Sequence, residues 1–311
     1  MRSGDESVVA VLEVGGTHVT AARVDVGTRA LLYGRSFREP LDGDGGTEEI
    51  LSALVRCARH LSVRSPGPWA VALPGPFDYE RGIGRYEGVG KFDALRGFDL
   101  RAALTAALPG ATAVSFWNDA DAFVLGEWWA GAAQGHRSVA GITLGTGVGS
   151  CFLRDGRIVR HGPGIPPEGR VHTLRYAGQP IEETVSRRAL RRAYAQATGA
   201  SPPDVQEIAR RARQGDRAAA GVFAATFTAL GRVLGPPLTA FEPTVLVVGG
   251  AIAGAWDLVA EPLRAGLNET DPARTRHLVI TPAHLPDQAA LLGAACLTTA
   301  CGESRRRTPS H

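Results

Sequence analysis

The run Val8-Val9-Ala10-Val11-Leu12-Glu13-Val14 is apolar but for one carboxylate, breaks at Gly15-Gly16-Thr17, and resumes as Val19 to Val26. An apolar run bounded by a glycine turn reads as a buried strand over Ser7 to Val14. The segment beyond the turn reads as its hairpin partner. Leu31 to Phe37 adds a third strand, so the sheet begins with an antiparallel edge. Further on, a helix is expected from about Thr47, with Glu48 and Glu49 in its first turn and Ile50, Leu51, Leu54, Val55, Ala58 and Leu61 as its apolar stripe. Trp69 to Leu73 is a strand stopped by Pro74-Gly75-Pro76, Leu100 to Leu108 a helix, and Ala113 to Trp117 a strand.

The opening pattern then recurs. Ser138 to Leu144 is apolar, Gly145-Thr146-Gly147 breaks it, Val148 to Leu153 resumes, and Arg154-Asp155-Gly156-Arg157 turns into Ile158-Val159. A helix over Asp216 to Leu234, a strand over Thr244 to Val248, a helix over Ala255 to Leu267, a strand over His277 to Thr281 and a helix over Asp287 to Ala300 complete the chain. The tail, Gly302 to His311, contains Arg305-Arg306-Arg307 and is expected to be disordered. A strand–glycine-turn–strand opening used twice predicts two related α/β domains. One is expected over 1–117 with the helix 287–300, the other over 118–286, with both glycine turns facing a cleft between them.

Composition narrows the function. The 311 residues are 44% hydrophobic and 21% charged, which is ample material for two cores. No apolar run reaches the roughly 18 residues of a membrane span, and the polar start Met1-Arg2-Ser3-Gly4-Asp5-Glu6-Ser7 lacks a signal peptide's apolar segment. A cytoplasmic protein without membrane partners is expected. Cys57, Cys151, Cys296 and Cys301 have no CxxC spacing, which argues against a disulfide framework and a cysteine zinc knuckle. Lys91 is the single lysine among 34 basic residues; a P-loop, which ends in Gly-Lys-Ser/Thr, is therefore absent, and Schiff-base chemistry would rest on that residue alone. A net charge of +3 without a concentrated patch predicts no nucleic-acid partner.

Three glycine elements could hold an anion or a nucleotide. In Gly15-Gly16-Thr17 and Gly145-Thr146-Gly147-Val148-Gly149, backbone amides can approach a phosphate closely and the threonines add hydroxyl donors. Either turn alone reads first as a structural hairpin; the two at equivalent repeat positions point to phosphates. Val247-Val248-Gly249-Gly250-Ala251 ends a strand before a helix, where an α/β sheet accepts ligands, or where it simply turns. In Trp117-Asn118-Asp119-Ala120-Asp121, Asp119 is either an N-cap or a carboxylate that takes the proton of a hydroxyl attacking a phosphoryl group. The arginine runs Arg187-Arg188, Arg191-Arg192, Arg210-Arg211 and Arg213 read as solvated helix faces.

Glu13-Val14-Gly15-Gly16-Thr17, Leu73-Pro74-Gly75-Pro76, Asn118-Asp119-Ala120-Asp121, Leu144-Gly145-Thr146-Gly147-Val148-Gly149 and Val248-Gly249-Gly250 stand in the order found in ROK-family (repressor/ORF/kinase) sugar kinases. The resemblance runs from about residue 8 to 300. It implies an actin/hexokinase-like (ribonuclease H-like) fold of two lobes, ATP and Mg²⁺ binding, a homodimer, and transfer of the γ-phosphoryl group to a hexose hydroxyl, usually O6. By that resemblance Asp119 is the catalytic base and Asn118 a sugar ligand, and Gly75 lies in a sugar-side loop. Glu13, Gly15, Gly16, Thr17, His18, Gly145, Thr146, Gly147, Gly249 and Gly250 fall to the nucleotide. Glu182 resembles the glutamate near the sugar's anomeric end, and His172 the sugar-contacting histidine of the family's Gly-Glu-x-Gly-His motif.

The departures are specific. The family's opening aspartate is Glu13, one methylene longer, and position 18, often lysine, is His18. The Gly-Glu pair before the histidine is reversed as Glu168-Gly169, which shifts the sugar-binding glutamate by one residue. The family's zinc segment is missing between His172 and Glu182, so no structural zinc is expected. These changes keep a glucokinase as the first expectation and admit an amino-hexose such as kanosamine, whose ammonium Glu168 could pair. A polyphosphate-dependent glucokinase and an inactive sugar sensor are the alternatives. A repressor would need a helix-turn-helix ahead of Glu13, for which the twelve preceding residues are too few.

Overall fold

The computed structural model describes residues 7–306. These fall into two units, residues 1–130 with 287–311, and residues 131–286.

The first unit opens with β1 (Val8–Val14), β2 (His18–Asp25) and β3 (Ala30–Pro40), an antiparallel meander. Helix α1 (Thr47–Arg59) leads to β4 (Gly67–Leu73), parallel to β1. A small hairpin of β5 (Phe77–Asp78) and β6 (Ile83–Gly84) precedes α2 (Leu100–Ala107), β7 (Ala111–Asn118) and α3 (Asp119–Ala130). The strand order is β3-β2-β1-β4-β7. Strand alternation sorts the faces. Leu12, Val14, Val19, Ala21, Val71 and Leu73 share a core with Ile50 and Leu54 of α1 and Leu104 of α2. On the opposite face, Glu13, Thr20 and Arg38 form one row across β1, β2 and β3, continued by Ala72 and Trp117.

The second unit repeats the plan with β8 (Ser138–Leu144), β9 (Val148–Arg154) and β10 (Arg157–Ile158). The segment that could have carried zinc is a two-stranded hairpin, β11 (Arg175–Tyr176) and β12 (Gln179–Pro180). Then come α4 (Glu182–Val185), α5 (Arg187–Thr198), α6 (Val205–Arg213) and α7 (Arg217–Phe241). Ser186, Asp204 and Asp216 cap the last three through their side-chain oxygens. Strand β13 (Val245–Gly249), α8 (Trp256–Asn268), the short α9 (Pro272–Thr275) and β14 (Val279–Pro282) follow, in the sheet order β10-β9-β8-β13-β14. This is the first sheet's order strand for strand. Helix α7 runs seven residues past the expected Leu234 and is long and apolar enough to cross a membrane. Its Phe223, Phe227, Leu230, Leu234 and Leu238 are instead buried in this unit's core.

The chain returns to the first unit as α10 (Ala289–Arg306). Helices α3 and α10 each follow the last strand of their repeat, and they cross through glycines. A Cβ on Gly126 would lie 1.9 Å from the Ala289 carbonyl oxygen, and one on Gly293 1.8 Å from that of Ala122. That contact explains the first correction to the sequence reading: the boundary lies at 130/131 rather than 117/118, because α3 is packed against α10. The second is that the helix continues through 302–306, expected to be disordered; the rest of that tail lies outside the described residues. Gly126→Ala is expected to cost about 1–3 kcal/mol by overpacking. Gly221→Ala, on an open stretch of α7, should stabilise by about 0.5–1 kcal/mol. Urea midpoints of the two variants check both signs.

Among the described residues Cys57, Cys151 and Cys296 are free thiols. The arginine runs are engaged: Arg188 and Arg192 with Glu183, Arg187 with Asp204, Arg210 and Arg211 with Glu207, and Arg213 with Asp257, while Arg191 donates to the Pro202 and Pro203 carbonyls.

Candidate active site

In the first unit the parallel strands β1, β4 and β7 deliver their carboxyl ends together, at Glu13-Val14, Leu73-Pro74-Gly75 and Asn118-Asp119. Asn118 and Asp119 divide the work of the junction. Asn118 Oδ1 accepts from the Asp121 amide at 3.2 Å, which makes Asn118 the residue capping α3. Its Nδ2 donates to Tyr79 Oη at 3.1 Å, and that hydroxyl donates to the Leu73 carbonyl at 3.1 Å. The Tyr86 hydroxyl donates to the Pro74 carbonyl at 2.6 Å, so two tyrosines fix the strand end that leads into Gly75. A Cβ on Gly75 would meet Tyr79 Oη at 3.4 Å. Asp119, with the cap supplied by its neighbour, accepts from the adjacent Ala120 amide at 2.9 Å.

Glu13 lies on the sheet face covered by α3 and α10, at the end where both helices begin. Burial and the nearby Asp119 raise its pKa to about 7, Asp287 ahead of α10 adds to the rise, and Arg38 opposes it. His18 is held below its ordinary value by burial and by Arg38, both of which disfavour its charged form. Its Nδ1 lies 3.2 Å from Thr17 Oγ1, and the Gly15 amide donates to its carbonyl at 2.9 Å. Glu13, Gly15, Gly16, Thr17, His18, Gly75, Asn118 and Asp119 therefore gather at one end of this sheet.

In the second unit the turn between β8 and β9 closes through the Gly145 amide on the Gly147 carbonyl at 3.0 Å. The Arg187 amide, opening α5, donates to the Gly145 carbonyl at 2.8 Å. Glu182, which the resemblance gives to the sugar, lies against this turn: its Oε2 accepts from the Val148 amide at 2.9 Å. A Cβ on Gly147 would stand 2.8 Å from that oxygen, so the turn admits Glu182 because it is glycine there. At Gly249-Gly250 the backbone passes over β8, and a Cβ on Gly250 would be 2.4 Å from the Leu144 carbonyl. Gly250 also has φ of 82°, so packing alone requires glycine.

Glu168 and His172 lie in the segment fastened along β9. Both are exposed, and Glu168 adopts the left-handed conformation with φ of 54°. Ser150 Oγ fastens their segment to the strand, donating to the Gly169 carbonyl at 2.7 Å and accepting from the Val171 amide at 2.8 Å.

The sequence reading missed Arg38, Tyr79 and Asp287. Asp287 had a signal: it precedes the helix after β14 as Asp119 opens the helix after β7. Arg38 had a weaker one, a charged residue in register with Thr20 and Glu13 on a strand otherwise read only for its apolar positions.

Comparison with known proteins shows the family of the chain. The model of a family described as "ROK family" matches residues 9–300. Glucokinase from Thermotoga maritima is 28% identical over 278 residues, 82% of this chain and 86% of that protein. A ROK hexokinase from Thermus thermophilus superposes with a TM-score of 0.73 at 28% identity, over 96% of this chain and 99% of that one. A ROK-family glucokinase from Streptomyces griseus, solved in complex with glucose and AMPPNP, superposes with a TM-score of 0.75 at 25% identity, over 93% and 98%.

Proposed function

Because the chain belongs to the ROK family and has its actin/hexokinase-like fold, we propose that it is an ATP- and Mg²⁺-dependent sugar kinase that phosphorylates a hexose hydroxyl, O6 first among them. One observation carries the reading: Asn118 caps α3, which leaves Asp119 without that structural duty at the carboxyl end of β7. A carboxylate at a strand's carboxyl end, beside a helix N-terminus, is placed to accept the proton of a hydroxyl bound there.

In this reading the sugar hydroxyl gives its proton to Asp119 as its oxygen bonds to the γ-phosphorus, while the bond from that phosphorus to the β-phosphate oxygen breaks and ADP leaves. Asn118 and the Gly75 loop, braced by Tyr79 and Tyr86, orient the sugar. Gly15-Gly16-Thr17 and Gly145-Thr146-Gly147 supply amides and hydroxyls to phosphate oxygens. The T. maritima and T. thermophilus relatives, named glucokinase and hexokinase, support the sugar class, and the S. griseus complex supports ATP as donor.

The first unit's carboxylates suit a divalent cation. Burial first, then the charges of Asp119 and Asp287, hold a proton on Glu13 near neutrality, with Arg38 as the cation that opposes this. Among the described residues no group of three or more side chains forms a metal cage by itself. That matches the habit of Mg²⁺ in kinases, which takes one or two carboxylates and completes its shell from substrate phosphates and water. Glu13 and Asp119 would hold it, and when bound it supplies charge neutralisation at the phosphates.

ADP release from Mg·ATP, measured across glucose, mannose, N-acetylglucosamine, N-acetylmannosamine, glucosamine and kanosamine, tests the proposal. Turnover is expected with at least one of them, and the preferred member names the substrate. If no sugar supports ADP release above the water-driven background, the kinase reading fails and sugar sensing replaces it.

A further inference from the structure

We propose that Lys91 supplies the positive charge that holds a phosphoryl group against the Gly15-Gly16-Thr17 turn. The inference rests on the kinase reading and adds a residue to it. Lys91 is the only lysine in a chain that otherwise carries its positive charge on arginine. It is half-buried, and among the described residues no carboxylate forms an ion pair with it. Every strong arginine cluster in the second unit is matched by an acid; this ammonium is not.

Its position is fixed by backbone. The Phe92 amide donates to the Gly43 carbonyl, and the Gly43 amide donates to the Gly16 carbonyl at 3.1 Å, which ties the lysine's loop to the turn in two steps. A Cβ on Gly43 would fall 2.8 Å from the Gly16 carbonyl oxygen, so this approach exists because residue 43 has no side chain. The lysine stem fills the room the glycines leave: Cδ is 3.3 Å from where a Cβ on Gly16 would stand, and Cβ is 3.4 Å from the equivalent point on Gly43. Phe92, fully buried against Tyr86 with ring centroids 5.4 Å apart, is itself left-handed with φ of 62°. Such a conformation in a bulky residue persists only when its surroundings impose it, so the anchor next to Lys91 is rigid.

An ammonium on a flexible stem is a point charge with three donors. It can follow a phosphoryl group as it moves between donor and acceptor, which a planar guanidinium does less well. The turn offers amides, the lysine offers charge, and nearby carboxylates disfavour an anion bound without it. The ligand chemistry is therefore a phosphoryl group, whether carried by the nucleotide or by the phosphorylated sugar.

A single lysine makes a clean experiment. The full chain is acetylated with limiting acetic anhydride, and Lys91 modification is followed by peptide mass spectrometry with no ligand, Mg·AMPPNP, glucose 6-phosphate or glucose. At least a tenfold slowing is expected with a phosphoryl ligand and less than twofold with glucose. Protection by Mg·AMPPNP alone assigns the charge to the donor, by glucose 6-phosphate alone to the product, and by both to one position shared along the reaction. Separately, Lys91→Met should lower kcat about 10²-fold with the sugar KM changed only a few-fold, and Lys91→Arg should recover part of the loss. Equal labelling in all four arms overturns the proposal, as does a Lys91→Met enzyme within twofold of the parent. A protein that turns over no sugar but still shows phosphoryl protection would sink the kinase reading and leave this one standing.

Discussion

Asp119→Asn is expected to lower kcat by about 10²- to 10⁴-fold, the range over which a positioned general base acts, with sugar KM within a few-fold of the parent. The change is nearly isosteric. The carboxamide oxygen can still accept from the Ala120 amide, and Asn118 still caps α3 through Asp121, so the helix start does not depend on the charge. What disappears is the acceptor for the hydroxyl proton. A second readout separates this from general damage. Asp119 is the main charge that raises the Glu13 pKa, so removing it should move the Glu13 titration down toward the ordinary carboxylate range. That movement is visible by NMR of the Glu13 carboxyl carbon in the unliganded protein. A loss of less than tenfold in kcat, with the Glu13 titration shifted as expected, would place Asp119 in the site and strip it of the base role.

The apolar runs on either side of Gly15-Gly16-Thr17 and Gly145-Thr146-Gly147 made both hairpins legible, since a central strand buried on two faces has little freedom in composition. The repeat was equally legible, and the two sheets share one strand order. What strand periodicity could not reveal was the partner of a helix. Helix α3 lies next in sequence to the second unit and belongs to the first, because Gly126 and Gly293 permit a crossing that no local pattern announces. The site divides in the same way. Asp119 and the glycine turns were readable, being marked by residue type at strand ends. Arg38 and Lys91 were not, since each reaches the site through register or loop packing between segments far apart in sequence. Glu182 is the instructive case. The family resemblance gave it to the sugar, and only the fold shows its carboxylate resting on the Val148 amide of a glycine turn.

Glu13→Gln is expected to stabilise the unliganded protein at pH 8 by up to about 3 kcal/mol and to abolish most activity. Glu13 is partly buried, and its pKa rises from 4.5 to about 7 on folding. Each tenfold gain in proton affinity on folding corresponds to about 1.4 kcal/mol. The folded state binds this proton more tightly than the unfolded chain does. The stabilisation is therefore complete below pH 4.5, falls as pH climbs toward 7, and is gone above it. Glutamine carries no proton to lose, so the two proteins should unfold at similar temperatures at pH 4.5 and diverge steadily up to pH 8. Mg·AMPPNP should narrow the gap at pH 8, because a cation beside the Glu13 carboxylate relieves in the parent the repulsion that the variant lacks. Thermal unfolding at pH 4.5 and 8, with and without Mg·AMPPNP, makes the comparison. A parent and variant that differ equally at both pH values would show that Glu13 titrates alike in the folded and unfolded chain, and its burial beside Asp119 and Asp287 would then have no energetic consequence. The expected pattern would tie the family's departure at this position to a definite trade: a longer carboxylate, disfavoured in its charged form by burial at neutral pH, kept for the cation that the proposed function gives to it and Asp119.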